Sequence, residues 1–504
     1  MTFKIFRILI VTAIIFTSCS RDESENQTVV VNVLQKEPLT TAQINATINQ
    51  VLTSNKQFHW SEMSSQMIWS AALQGQNLIT IGFGNSASDF DRSKSSNNQK
   101  MQEDLLSIIS KYEGKELKDI LVSSDEFLNL MDVVITKQET VIALRQSKYI
   151  RYIEPADYRY LGDRANNQYE KSSSSTSSGC GFESSTLNTQ DYTTVTPNAR
   201  VPWTFYQHNI PSAWNLSTGR GITIGVIDTG TSPNQTLLGS NFNNGLSTDR
   251  SIQKFGTFVN SIWPWSTTTD GSSDLCGHGT SMSSVAAAPR NDKGLPVGVA
   301  YNANLVTYRA AENVLLEGYH EQNGVKNAFT GLGNNSNVKI ISMSMGYIFS
   351  VGKISDGVKY AHSKGKLIFC AGGTSTTFTT FVGVIFPAWM PEAVAVTGVK
   401  EGTNYQKCDV CHTGDKIDFT IAMQRAAGGN TVPVTSYYDN QSDYVGGSSV
   451  ATATTAGIAA LVWAKNPTWT RDQVLTKMKQ SSRYYPTKNP DFGHGNIDAF
   501  LAVQ

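Results

Sequence analysis

Charge of either sign is scarce in this chain. Of 504 residues only 16% are Asp, Glu, Lys or Arg, and 41 basic side chains are matched by 41 acidic ones. A net charge of zero supplies no field to attract nucleic acid or an anionic surface, so no nucleic-acid partner is expected. Long apolar runs are missing beyond the first nineteen residues, which leaves no later segment of transmembrane length. A glycine-rich phosphate loop is missing too. The stretch "GITIGVIDTG" (221–230) lacks the required spacing, which argues against a nucleotide-binding protein. No internal repeat is evident.

What is present begins with "MTFKIFRILIVTAIIFTSC". Lys4 and Arg7 precede an apolar run from Ile8 to Phe16, which is too short to span a bilayer and reads as a secretory signal over 1–19. Its ending, "FTSC", resembles a bacterial lipoprotein signal, with Phe16 where leucine is usual. That resemblance implies lipidation of Cys19, a lipid anchor in a membrane and an exported, outer-membrane or cell-surface protein. An oxidising compartment makes the remaining cysteines candidates for disulfides. There are five of these, Cys180, Cys276, Cys370, Cys408 and Cys411. Cys370 sits in "KLIFCAGG", which reads as a buried strand, and is expected to be a small buried hydrophobe. The other four allow three pairings, which the sequence leaves open. "CDVC" (408–411) lacks a second close pair of ligands, so no structural zinc is expected.

A polar tether covers 20–39. Residues 40–160 carry a mixed α+β pattern, with helices at "MQEDLLSIISKY" and "VIALRQSKY" and a strand at "IRYIEPADY". A Ser-rich linker, 161–199, follows with "KSSSSTSSG". From 200 to 504, short β-branched runs ("GITIGVID", "ANLVTY", "VKIISMSM", "KLIFCA", "AVAVTGV") alternate with helical stretches. Strands apolar on both faces predict an α/β, three-layer domain with a mostly parallel central sheet, and its chemistry belongs at the carboxyl ends of the strands.

Three motifs fall at such ends. Asp228 closes "TIGVID"; His278 opens a small-residue helix in "CGHGTSMSSVAAA"; Ser448 and Ser449 open "GGSSVATATTAG". Each has a bland reading: a turn aspartate, an exposed histidine, and the small-residue start of a buried helix with no charge from Val450 to Ala464. A serine in a first helical turn also meets unpaired N–H groups and a positive dipole end, which suit a developing anion.

Taken together, these motifs resemble the subtilisin-like serine proteases (subtilases, peptidase family S8). The resemblance extends through "GVAYNANLV", "IISMSMG", "FPAWMPEAVAVTGV" and "GHGNIDAF". It implies a serine endopeptidase acting on extended polypeptides through an acyl-enzyme, with Asp228, His278 and Ser449 as triad and Ser448 in place of the family's threonine. It assigns substrate binding to Ser344, Met345, Gly346, Gly372 and Gly373, the substrate lying along 342–346 as an added strand. It also implies that residues 40–160 are an inhibitory propeptide, a partner built into the chain, because "VIALRQSKYIRYIEPADY" resembles the closing helix and strand of such propeptides. No metal or organic cofactor is implied; "PRNDKG" (289–294) lies near a calcium loop of relatives but reads equally as a polar turn.

The chain departs from the family at Gly373, within "CAGGT", where relatives carry the asparagine of the oxyanion hole. Losing such a donor costs ~10²- to 10³-fold in turnover. That loss motivates a second expectation, a catalytically weak or idle, lipid-anchored peptide-binding protein. If Thr374 or a bound water replaces the donor, Gly373→Asn is expected to change activity little. Ala453 and Ser281 replace a proline and a second histidine.

Overall fold

A computed structural model describes residues 37–54, 57–160, 180–182, 184–374, 383–402 and 404–504. The expected signal, Cys19, most of the tether and the serine run at 171–179 lie outside them.

Residues 40–160 fold around an antiparallel sheet of order β2-β3-β1-β4, formed by β1 (Leu78–Phe83), β2 (Leu121–Ser124), β3 (Leu130–Val134) and β4 (Ile150–Pro155). Helices α1 (Thr41–Thr53), α2 (Ser65–Gln74), α3 (Asn98–Glu113) and α4 (Gln138–Arg145) accompany it. Thr40 and Gln43 form a capping box that starts α1. The helix expected over "VIALRQSKY" stops at Arg145, with Gln146 as its cap, so the last four residues of that stretch are turn.

The larger unit is built on seven parallel strands ordered β13-β12-β11-β10-β7-β9-β8. They are β7 (Thr223–Asp228), β8 (Ile252–Gly256), β9 (Asn304–Arg309), β10 (Val338–Met343), β11 (Leu367–Ala371), β12 (Val394–Lys400) and β13 (Ile417–Gln424). The central strands divide their side chains between two cores. Ile224, Val226, Ile340 and Phe369 join helices α5 (His278–Ala287) and α8 (Gly447–Lys465). Ile227, Ile341, Ile368 and Cys370 join α6 (Tyr319–Asn334) and α7 (Gly352–Ser363). That alternation explains why each strand reads as an unbroken apolar run. Helix α8 is long and apolar enough to cross a membrane, yet it is buried between sheet and α5.

The linker expected over 161–199 is shorter in the structure. From Cys180 onward the chain belongs to the larger unit, through the Cys180–Cys276 disulfide and the hairpin β5 (Tyr192–Val195) and β6 (Ala199–Pro202). The β-branched Thr193, Thr194 and Val195 favour this extended pairing. Cys408 and Cys411 form the second disulfide, and Cys370 is buried and reduced.

The two units pack through the sheet of the first and helices α6 and α7 of the second. Tyr152 is sandwiched between glycines: a Cβ on Gly82 or on Gly352 would lie 2.2 or 2.4 Å from its ring. Arg151 makes a bidentate bond to Asp356 (2.8 and 2.6 Å), and Lys353 reaches Asp132 at 3.0 Å with both side chains 1% exposed. Glu154 accepts the Gly352 N–H at 2.7 Å, and Asp157 accepts the Tyr319 N–H at 3.0 Å. Beyond Asp157, the Tyr160 ring meets Phe349 edge-on.

Candidate active site

Asp228 ends β7 at the carboxyl edge of the sheet and is 1% exposed. Its Oδ1 accepts the Thr229 N–H (2.8 Å) and bonds His278 Nδ1 (2.7 Å). His278 is the first residue of α5, and two glycines bring that helix against the strand end. A Cβ on Gly279 would stand 2.3 Å from the Gly230 carbonyl oxygen, and one on Gly230, at φ +110°, 2.8 Å from the Ser272 oxygen.

The sequence reading missed Asp274. Fully buried, it accepts from the backbone N–H of Cys276, Gly277 and Thr280 and from the hydroxyls of Thr229 and Thr280. It therefore fixes both the start of α5 and the turn after Asp228. The signal available was an Asp opening a turn just before the histidine, since an Asp side chain accepts the backbone N–H two residues on. Burial pushes its pKa up against those bonds. Burial also opposes the charge on His278, but the Asp228 charge, their hydrogen bond and the Asp274 charge outweigh it, so the imidazole pKa lies above its usual value.

At the start of α8, Gly447 has φ +81° and a Cβ there would stand 2.7 Å from Thr374 Oγ1. Ser448 is 1% exposed, and its Oγ accepts the Gly373 N–H (3.1 Å) while its own N–H donates to Thr374 Oγ1 (3.2 Å). Between Gly447 and Trp463 only Ser449 is not buried. The Ser449 hydroxyl donates to the Ser344 carbonyl (3.4 Å) and the Ser344 hydroxyl to the Ser449 carbonyl (3.1 Å). Among the described residues no hydrogen bond joins Ser449 to His278. The structure thus brings together Asp228 with His278, and Ser449 with Ser344.

Ser344 and Met345 lie buried just past β10. Gly346 donates its N–H to Val314 and accepts from Leu316 N, so its backbone is already paired. Gly372 is tied into the sheet edge by Val396 and Ile385. Gly373, at φ +123°, has no room for a side chain, because a Cβ would stand 2.4 Å from His412 Nδ1. The expectation that Gly373→Asn is harmless is therefore revised: it would collide with this ring. In 289–294, Asn291 spends its side chain on Pro289, Lys293 and Leu295, and Asp292 pairs with Lys293 at 3.4 Å. Those bonds are the ones a polar turn makes. No cluster of three or more His, Cys, Asp or Glu among the described residues is placed to hold a metal.

A model of the subtilase family matches residues 219–496. An alkaline protease of Alkalihalobacillus alcalophilus is 27% identical over 316 residues, 62% of this chain and 73% of its own length. Subtilisin Savinase of Lederbergia lenta is 28% identical over 305 residues, 60% of this chain and 99% of its own. The solved structure of fervidolysin from Fervidobacterium pennivorans, a keratinolytic enzyme related to subtilisin, superposes with a TM-score of 0.58 at 14% identity, covering 85% of this chain and 61% of that one. The match covers more than half of the sequence and includes all three motifs; the chain belongs to the subtilase family and is a serine endopeptidase.

Proposed function

We propose that Asp228, His278 and Ser449 are the catalytic triad and that the enzyme cleaves extended polypeptides through an acyl-enzyme. The observation that carries this reading is the 2.7 Å bond between Asp228 Oδ1 and His278 Nδ1 at the sheet's carboxyl edge. A carboxylate there orients the ring with Nδ1 protonated and leaves the Nε2 lone pair as base. In the first step Ser449 Oγ bonds to the substrate carbonyl carbon while its proton passes to His278 Nε2. Collapse of the tetrahedral intermediate breaks the C–N bond, and His278 returns the proton to the leaving amine. Water then repeats the sequence to free the acid. Ser448 stays structural, its hydroxyl bound to Gly373 N–H. A fluorophosphonate probe tests this: labelling is expected to vanish in Ser449→Ala and persist in Ser448→Ala. No labelling of the processed protein would favour the idle peptide-binding reading instead.

The docked unit of residues 40–160 is read as an inhibitory propeptide. Support comes from its buried ion pairs with α7 (Arg151–Asp356 and Asp132–Lys353) and with α6 (Asp125–Lys326), and from Tyr160 lying against Phe349. With Cys19 lipidated on an exported precursor, cleavage between about Leu161 and Arg200 leaves the anchor on the propeptide and frees the catalytic unit. Cell fractionation with blotting against both ends checks this; an active, membrane-held, full-length protein contradicts it.

A further inference from the structure

The amino edge of the seven-stranded sheet, opposite the strand ends that carry Asp228 and Ser344, holds a cavity of about 620 Å³. Its lining gathers basic residues in a chain whose charges otherwise cancel. Lys339 lies on β10, Lys364 and Lys366 between α7 and β11, and Arg471 opens the helix Arg471–Gln480. Against these four stands one acid, Asp472, and Trp463 and the half-buried Trp469 add an apolar wall. Two of the cations have acids of their own: Lys364 Nζ lies 4.0 Å from Asp91, and Arg471 Nε donates to Asp472 at 3.1 Å. The other two have no carboxylate partner among the described residues. Lys366 is 4% exposed, and its ammonium spends two hydrogens on the Asn335 and Val338 carbonyls (2.6 and 2.8 Å). Lys339 Nζ stands 5.4 Å from the centre of the Trp463 ring. Burial, and after it the Lys339 charge, lower the Lys366 pKa to about 8. Two ammonium groups close enough to repel therefore line one cavity, where buried charge is ordinarily paired.

We propose that this cavity binds a phosphate monoester, its dianionic head held by Lys339, Lys366 and Arg471 and its organic body set against Trp469. The donors are fixed in advance. The Asn335 and Val338 carbonyls hold Lys366 while leaving one of its hydrogens over, and Arg471 donates from Nη1 to the His362 carbonyl (2.7 Å) while Nη2 has no partner among the described residues. Lys339 offers all three hydrogens, since no hydrogen bond of its Nζ is formed among the described residues. A guanidinium fork with two ammonium groups suits a tetrahedral dianion better than a planar, singly charged carboxylate. The volume far exceeds that of the bare ion, so the phosphate carries a body, and Trp463 Nε1, bonded to the Trp469 carbonyl at 2.9 Å, fixes the wall that meets it. Lys339 is five residues along β10 from Ser344, ~16 Å, so the site is separate from the proteolytic cleft and does not depend on the triad reading.

A soluble ester and a lipid headgroup present the same phosphate, so calorimetric titration of the full chain uses both, as glucose 6-phosphate and as vesicles containing phosphatidate, with glucose as the uncharged control. At least one ester is expected to bind and glucose is not. Lys339→Glu, which reverses one charge of the cluster, should weaken that binding by at least ~10-fold. Its melting temperature should not fall, because the substitution also removes the repulsion on Lys366. Raising the ionic strength past ~0.1 M should weaken wild-type binding as well. Binding of glucose 6-phosphate supports the site with a soluble ligand, and binding of the vesicles alone supports it with a lipid. Binding of neither ester, binding of glucose as tight as that of its phosphate, or binding that Lys339→Glu leaves intact overturns the proposal. Should Lys339→Glu not fold, Arg471→Gln takes its place with the same expected loss.

Discussion

At the residue scale the proton relay depends on which state His278 occupies. Its pKa is raised above 6.5, so the neutral base form is lost as pH falls through that higher value. The acid limb of kcat/KM should accordingly have its midpoint above pH 6.5. Asp228→Asn should move that midpoint down and cost ~10⁴-fold in kcat, because an amide favours the wrong tautomer. A midpoint below the ordinary imidazole value in the wild type would contradict the assignment. The glycine at 373 invites a second test. With φ at +123° and a Cβ 2.4 Å from His412 Nδ1, Gly373→Asn should lower the melting temperature and reduce turnover, where added activity would mean the ring gives way freely.

At the scale of elements, α8 was legible because its composition and burial agree. Val450 to Ala464 carries no charge, and every residue from Val450 to Trp463 is buried. Gly457 permits the closest approach, since a Cβ there would stand 2.5 Å from Val299 Cβ. Gly457→Ala should destabilise the protein by ~1–3 kcal/mol through overpacking, measurable by denaturant titration. Strands β7, β9, β10, β11 and β12 were legible for the same reason, each serving two apolar faces. Asp274 and His412 were not. Their importance comes from contacts of Asp274 with residues 229 and 280 and of His412 with residues 373 and 383, which the chain makes only after the sheet has formed. The disulfide pairing was likewise open. Cys180–Cys276 closes a loop 96 residues apart, so Cys180→Ser should cost ~4–5 kcal/mol in the chain-entropy account, against ~2 kcal/mol for opening the three-residue separation of Cys408–Cys411.

At the scale of the whole molecule, the account turns on the docking of residues 40–160. Removing one partner of a buried ion pair costs ~3–5 kcal/mol. Arg151→Ala should therefore weaken the separated N-terminal unit's inhibition of the catalytic unit by at least ~10²-fold. Docking should also depend on pH through Glu154. Burial pushes its pKa up to about 7, with the Gly352 N–H opposing, Asp356 adding and Lys353 opposing, against 4.5 ordinarily. A pKa raised on docking favours the docked state fully below 4.5 and loses that contribution as pH rises through about 7. Glu154→Gln, which keeps an acceptor for Gly352, should flatten the pH dependence of inhibition between those limits; an unchanged profile would place the titration elsewhere.

The central claim is that Ser449, and not its neighbour, is the nucleophile. Mass spectrometry of the peptide spanning Gly446 to Lys465 after fluorophosphonate treatment tests it most directly. Fragment ions that carry the phosphonyl mass on Ser449 and leave Ser448 unmodified are the predicted result. Modification of Ser448, or none in the processed enzyme, would contradict the account.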